Sequence, residues 1–352
     1  MSETDLLAQR FPELGRQVPR TGLADLPTPL TSHRIKLPSG ERRLLIKCDN
    51  LSSPLYGGNK VRKLEYLLAP PARRTVHRIA TFGTVGSHHA LATALFARRE
   101  GFACTCFLAH QLKTPAAPRT LRLLLANDCE IVRFGGAYAK RIQTLRDHLR
   151  HRHVRVIPAG GSSWYGTLGF VNAGLELAAQ IESSGLPVPE RLYVASGTLG
   201  TAAGLALGLA LAELPTSIQA IRVSHTDIAN EDTLHRLISK TAAMMYRLDR
   251  SVPQDLQQRV NICLRHEFFA GGYAHSNAET DAALRFASQH LQLRLEATYT
   301  GKAMAALLSD AESPDLGQLL FWNTYNSAPL EDLTDAEPDS DRLPPEFLSY
   351  FS

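Results

Sequence analysis

One arrangement recurs along the chain: a short apolar, β-branched run, then a loop, then a stretch with helical spacing. "RIATFG" (Arg78–Gly83) is followed by Ser87 and "HHALATALFARR". "VRVIPAGG" (Val154–Gly161) leads into "GTLGFVNAGLELAAQIE", and "RLYVASG" precedes "GTAAGLALGLALAEL". "FACTCFLA", "EIVRFG" and "IQAIRVS" are further runs of the same kind. Strands that alternate with helices pair in parallel, because the helix returns the chain to the edge it left. The pattern therefore predicts an α/β chain with mainly parallel sheet. In such sheets ligands bind beyond the carboxyl ends of the strands, where loops turn into helices. Three of those loops are rich in Gly, Ser and Thr: "TFGTVGSHH", "PAGGSSWYG" and "ASGTLGTAAG".

The chain has 352 residues, 44% hydrophobic and 20% charged. That is ordinary for a globular protein, and the length suits about two domains. A net charge of +4 is far from the strong basicity of a dedicated nucleic-acid binder. The basic stretch "RDHLRHRHVR" (Arg146–Arg155) reads as a solvated helix end, so no nucleic-acid partner is expected. "MSETDLLAQRFPELG" has early acids and no apolar signal core, and no apolar run is long enough to span a bilayer. A cytoplasmic protein without a membrane partner is the expectation. The five cysteines form no C-x-x-C pair, so neither a disulfide framework nor a metal site is expected. Cys104 and Cys106 alternate in a strand and should share one face as buried thiols. The tail after Pro329 turns acidic and Pro-rich and reads as an exposed extension.

"PLYGGNKVRK" (Pro54–Lys63) places Lys60, Arg62 and Lys63 within four residues. Asn59 reads as an N-cap, Lys60 as first-turn, and the prolines at 70 and 71 as the stop. A cation at a helix N-terminus is unfavourable by about 0.3–1 kcal/mol. Either all three side chains point into water, or an anion sits there, or one lysine is uncharged in use. Lys60 and Lys63, three apart, share a face. Far along the chain, "ASGTLGTAAGL" ends a strand at Ser196, loops over Gly197–Gly200 and starts a helix near Thr201. Such a loop can cup an anion with its amides, or its small residues can serve tight packing alone. It is neither a Walker loop nor G-x-G-x-x-G. A lysine flanked by glycines, with a separate phosphate cup, suits pyridoxal 5'-phosphate, whose aldehyde and phosphate need those two partners.

Five segments, in order, resemble the pyridoxal-phosphate enzymes that include D-cysteine desulfhydrase and 1-aminocyclopropane-1-carboxylate deaminase. They are "GGNKVRKLEYLLA", "GTVGSHHALATA", "IPAGGSSWYGTLGFVNAGLEL", "ASGTLGTAAGLALGLAL" and "ATYTGKAMAAL", within about Leu45–Pro329. The resemblance implies a two-domain, three-layer α/β/α protein of fold type II, the tryptophan-synthase-β type. Residues 1–62 and 172–330 would form the large cofactor domain, 63–171 the smaller inserted one, and 331–352 an acidic C-terminal extension. Lys60 would carry the cofactor as a Schiff base. Lys63, Thr198, Leu199, Gly200 and Thr201 would hold its phosphate, and Asn59 would also bind the cofactor. Ser87 would accept or relay a proton, and His88 would face the phenolic oxygen. Tyr273 and Tyr299 match the family's two active-site tyrosines, and Thr324 the position beside the pyridine nitrogen. The reaction implied is α,β-elimination of a small amino acid to a keto acid and ammonia, by a homodimer. Thr300 and Thr324 fall on the desulfhydrase side, since deaminases carry Glu and Leu there.

The chain also departs from the family. His88 replaces Asn, and Leu199 stands where Gly is usual, which costs energy if that residue needs positive φ. Asn323-Thr324-Tyr325-Asn326 replaces H-T-G-G, "KCDN" replaces K-R-D-D, and "EATY" lacks the aspartate and proline before the tyrosine. Two other outcomes therefore stay open: β-replacement, racemisation or deamination of an unusual amino acid, or a degenerate cofactor-binding homologue.

Overall fold

The computed structural model describes residues 5–69, 76–150, 153–330 and 340–351. The chain divides into two units: 1–66 with 162–328, and 67–161 with 329–352.

The first unit is built on a six-stranded sheet. Its strands are β1 (Leu30–Leu37), β2 (Gly40–Lys47), β7 (Arg191–Ser196), β8 (Ser217–Arg222), β9 (Ile262–Arg265) and β10 (Leu319–Trp322). They lie in the order β1-β2-β10-β7-β8-β9. Only β1 and β2 pair antiparallel; the other pairs are parallel. Both faces are covered, and the alternation of side chains shows it. Leu45, Leu192, Val194, Leu320 and Trp322 enter one core, and Leu44, Ile46, Tyr193, Ala195 and Phe321 the other. The first core is roofed by α1 (Leu6–Arg10), α2 (Pro12–Gln17), α7 (Trp164–Ser184), α8 (Gly200–Leu211) and α9 (Glu231–Leu248). The second is roofed by α10 (Ala278–Leu291) and α11 (Thr300–Ala311). Residues on both sides of a parallel strand must be apolar, which is why these runs lack polar alternation.

α3 (Asn59–Leu67) follows the Gly57–Gly58 loop. The prolines at 70 and 71 that should stop it lie outside the described residues. All twelve residues of α8 are buried, as an all-round apolar helix requires. It lies so close to α7 that a Cβ on Gly208 would come 2.9 Å from Gly174 Cα.

The second unit holds a wholly parallel sheet. Its elements are β3 (Arg78–Thr84), α4 (His88–Arg99), β4 (Ala103–Ala109), α5 (Ala116–Ala126), β5 (Glu130–Arg133), α6 (Tyr138–Leu149) and β6 (Val154–Ile157). The strand order is β5-β4-β3-β6. Ser87 caps α4, its hydroxyl accepting from the Ala90 amide at 3.2 Å. Cys104 and Cys106 do share a face, sulfurs 4.0 Å apart, and buried Cys129 brings a third thiol within 4.8 Å.

Three expectations need correction. β6 ends at Ile157, because Pro158 has no amide to donate and a tight turn follows over Ala159–Gly161. The hairpin β1–β2 and the short strands β9 and β10 were not foreseen. Residues 340–351 are not an exposed extension: Leu343, Phe347 and Tyr350 are buried within the second unit. Among the described residues no helix is long and apolar enough to cross a membrane.

Candidate active site

The cluster of cations on α3 is sorted by burial. Arg62 points inward and is fully buried. Its guanidinium donates to Asp49 at 2.7 and 3.0 Å, to both Glu176 oxygens at 2.9 Å and to Thr28 Oγ1 at 3.0 Å. Trp322 donates to Asp49 Oδ2 at 2.8 Å, and buried Lys47 pairs with Glu176. Burial would raise the Glu176 carboxyl, but Arg62 and Lys47 outweigh it and hold it down at about 2. This network ties α3 to β2, β10 and α7. Because Arg62 is anchored inside, Lys60 and Lys63 are presented on the neighbouring face.

The reading in which all three cations face water is therefore excluded. Lys63 is 2% exposed. Its Nζ donates to Ser162 Oγ at 3.3 Å. Burial, with the Lys60 charge nearby, pushes its amine well below the usual range. An anion beside it would reverse that.

Around Lys63 lies a set of donors of the required kind. The Gly200 amide donates to Ser162 Oγ at 3.2 Å, and the Ser162 and Thr198 hydroxyls are 2.7 Å apart. Asn59 Nδ2 donates to Thr201 Oγ1 at 2.9 Å. A Cβ on Gly200 would come 2.5 Å from Ser162 Oγ and 2.9 Å from Lys63 Nζ, so only glycine leaves the cradle open. The cradle sits at the N-terminus of α8, where free amides and the dipole favour negative charge. A phosphate group fits this donor set of hydroxyls, amides and a buried ammonium. Leu199 does adopt positive φ, +65°, as the residue before α8. α8 starts at Gly200, one residue earlier than expected. Ser162 was missed; the "GGSS" loop was the signal that could have found it.

Asn59 is the first residue of α3 rather than a cap outside it. Its side chain is engaged differently: besides donating to Thr201, it accepts from Lys60 Nζ at 2.8 Å. Lys60 is half-buried and lies 5.8 Å over the Tyr299 ring. Burial lowers its amine to about 8, against a smaller raising effect of the Glu296 carboxylate. Such an amine is partly neutral near neutral pH, as imine chemistry with an aldehyde requires.

Tyr299 and Tyr273 meet with hydroxyls 2.7 Å apart and rings nearly perpendicular. Burial, then Tyr273, pushes the Tyr299 phenol well above its usual range, so it stays protonated. Two residues that the sequence reading passed over place these tyrosines. Glu296 accepts from the amides of Thr298, Tyr299 and Thr300, each at 2.8 Å, and so caps α11. Buried Lys302 donates to the Phe269 and Gly272 carbonyls at 2.7 and 2.8 Å, fixing the turn that delivers Tyr273. The Thr300 hydroxyl is taken up by Glu296, at 3.2 Å from its carboxylate.

The segment after β10 closes on the Gly57–Gly58 loop. The Asn59 amide donates to the Thr324 carbonyl at 3.2 Å, and the Gly57 amide to Asn326 Oδ1 at 2.7 Å. Thus Lys60, Lys63, Asn59, Thr198, Leu199, Gly200, Thr201, Tyr273, Tyr299 and Thr324 all belong to the first unit. Ser87 and His88 belong to the second, at the start of α4.

A doubly covered parallel sheet, a half-buried lysine and an open anion cradle define a pyridoxal-phosphate enzyme of fold type II. The chain belongs to that family: the sequence pattern described as "Pyridoxal-phosphate dependent enzyme" matches residues 22–321. It is 32% identical to a D-cysteine desulfhydrase of Klebsiella pneumoniae (strain 342) over 317 residues, covering 87% of this chain and 93% of that one. A D-cysteine desulfhydrase of Serratia proteamaculans (strain 568) is 31% identical, covering 88% and 94%. Among solved structures, an ACC deaminase homologue superposes with a TM-score of 0.72 at 27% identity, covering 93% of this chain and 96% of that one. A threonine deaminase from T.th. shares the fold, with a TM-score of 0.60 at 20% identity over 96% of this chain and 100% of its own.

Proposed function

We propose that this protein is a pyridoxal-phosphate-dependent lyase that acts on a small amino acid in the manner of D-cysteine desulfhydrase, releasing the Cβ substituent and giving a keto acid and ammonia. The observation that carries the proposal is the pairing of Lys60, its amine lowered to about 8, with the Lys63–Ser162–Gly200 cradle. Bound pyridoxal phosphate supplies the aldehyde and an electron sink that acidifies the substrate's α-carbon. Lys60 holds the aldehyde and, once released by the substrate's amine, takes the α-proton at Nζ. Lys63, Ser162 and the amides at the start of α8 hold the phosphate. Tyr299, protonated and bonded to Tyr273, orients or donates a proton to the departing group. By the resemblance of its segment, Thr324 would face the ring nitrogen. There a neutral hydroxyl, unlike a carboxylate, would not stabilise a protonated ring, which would limit electron withdrawal and favour prompt loss of the leaving group. The roles of Ser87 in proton relay and of His88 toward the phenolic oxygen rest on the resemblance of "GTVGSHHALATA". A homodimer in the cytoplasm belongs to the same proposal, and light scattering of the purified protein tests the dimer.

The experiment is spectroscopic and kinetic. The purified protein should show a visible absorbance band that Lys60→Ala abolishes. D-cysteine should yield sulfide, ammonia and pyruvate in equal amounts. A protein that takes up no cofactor, or whose band survives Lys60→Ala, sinks the proposal. A second reading, β-replacement or racemisation, is favoured by Tyr325 and Asn326, which put bulk where the family has glycines. A panel of D- and L-amino acids separates them: release of the Cβ substituent without ammonia or keto acid would select β-replacement, and α-proton exchange with neither product would select racemisation.

A further inference from the structure

The loop that carries Ser87 is held from the far end of the chain. We infer that residues 340–351 form a strap that positions the Ser87 loop within the second unit, with Tyr350 and Gln111 as its positioning residues. The inference rests on the proposed role of Ser87.

The loop begins where β3 ends. The Val85 amide donates to the Ala109 carbonyl at 3.1 Å, and the Ser87 amide to the Thr84 carbonyl at 2.9 Å. Between them, the Gly86 amide donates to Gln111 Oε1 at 3.2 Å. A Cβ on Gly86 would come 2.7 Å from Gln111 Nε2, so the Gln111 amide lies directly against the loop. Gln111 in turn sits in an irregular segment after β4, where no ladder fixes its backbone. One hydroxyl does so instead. Tyr350 Oη donates to the Gln111 carbonyl at 2.7 Å and accepts from the Gln111 amide at 3.0 Å. His110 Nδ1 is 3.3 Å from the same oxygen. A group that engages both the N–H and the C=O of one residue fixes its peptide planes, and with them the direction of its side chain.

The anchor for that hydroxyl is aromatic. The Tyr350 ring stacks on His110 at 5.9 Å and 22°, and fully buried Phe347 packs edge-on against His110 at 5.0 Å. Arg133–Glu346 and Arg342–Asp128, at 3.4 and 3.5 Å, are exposed ion pairs and add little. The strap is thus held by Phe347 and Tyr350, and its reach to Ser87 runs through two steps: Tyr350 to Gln111, then Gln111 to Gly86.

Tyr350→Phe keeps the ring and removes only the hydroxyl, so the fold should survive. In that variant, hydrogen exchange measured on the full chain should quicken at Gly86 and Gln111 by about 3- to 10-fold, the worth of one hydrogen bond. Exchange inside α4 should not change. Gln111→Met should do the same at Gly86, and Gln111→Glu, which keeps the acceptor oxygen, should restore it. In the loaded enzyme kcat should fall in Tyr350→Phe and Gln111→Met while KM changes less, and neither should slow a Ser87→Ala enzyme further. Unchanged exchange at Gly86 in both variants overturns the strap. So does an added loss on top of Ser87→Ala, since the strap is to act through that residue. Ser87→Ala with full turnover would instead refute the role assigned to Ser87, an outcome read separately from exchange at Gly86.

Discussion

At the residue scale the chemistry of Lys60 comes from opposed effects on one amine. Burial lowers it to about 8, and the Glu296 carboxylate pulls the other way. Labelling of Lys60 by a small aldehyde in the cofactor-free protein should therefore rise with pH around a midpoint near 8, not near the ordinary 10.5. Glu296→Gln removes the raising influence, so its midpoint should move lower; a midpoint that moves higher contradicts the assignment. Peptide mass spectrometry across a pH series reads both. Leu199 shows a second balance. Its left-handed backbone costs about 1–2 kcal/mol. Its side chain, 2% exposed in the core of the first unit, contributes about 1.5–3 kcal/mol. Burial wins, so Leu199→Gly should lower stability by about 1 kcal/mol in urea unfolding despite relieving the backbone. The departure from glycine is readable in the sequence, and so is its cost. That Leu199 feeds the core beneath α8 is not, because one sequence does not say which way a loop side chain turns.

At the element scale, α3 is placed by buried polar groups and α11 by a half-buried carboxylate, rather than by their own propensity. Glu296 accepts three amides at the start of α11. Glu296→Ala leaves those donors without it and should cost about 2 kcal/mol. It should lower turnover by more than this loss of stability explains, since the same turn aims Tyr299. The α3 network makes a pH prediction. Glu176 is held at about 2 in the folded chain, against an ordinary 4.5. A carboxyl lowered by folding stabilises the fold above its unfolded value, and that contribution fades as pH falls from about 4.5 toward 2. Glu176→Gln should therefore destabilise the protein near neutral pH by about 3 kcal/mol, because Arg62 and Lys47 keep buried charge. It should also flatten the loss of stability between those pH values. Thermal unfolding from about pH 2 to 7 checks this, and an equally steep acid limb in the variant would contradict it. "GGNKVRKLE" announced the helix and its lysine. Its partners Asp49 and Glu176 are too distant in sequence for any local pattern to pair them with Arg62.

At the scale of the whole molecule, the repeating strand–loop–helix order was enough for the fold class, and the three small-residue loops marked the ends of β3, β6 and β7. β9 and β10 do not run directly through a loop into an α-helix, so the recurring order does not mark them, although β10 lies between β2 and β7. The tail misled for a different reason. Its acids and prolines dominate its composition, whereas Leu343, Phe347 and Tyr350 decide its burial. The proposed anchors for the cofactor's aldehyde and phosphate lie together in the first unit, although residues 67–161 separate Lys60 and Lys63 from Ser162 and the start of α8 in sequence. A ligand that binds only the folded state adds stability by mass action, about 2.7 kcal/mol at a hundred times its Kd. Pyridoxal phosphate added to the stripped protein should thus raise its unfolding midpoint and slow hydrogen exchange in residues 57–64 and 197–205. Lys63→Met removes the buried cation of the cradle and should lose most of the gain. It should spare unfolding of the cofactor-free chain, because burial already disfavours the charged amine and an unbranched apolar side chain of similar length carries no such penalty. A gain that survives Lys63→Met, or protection absent from both segments, would show that the phosphate is held elsewhere.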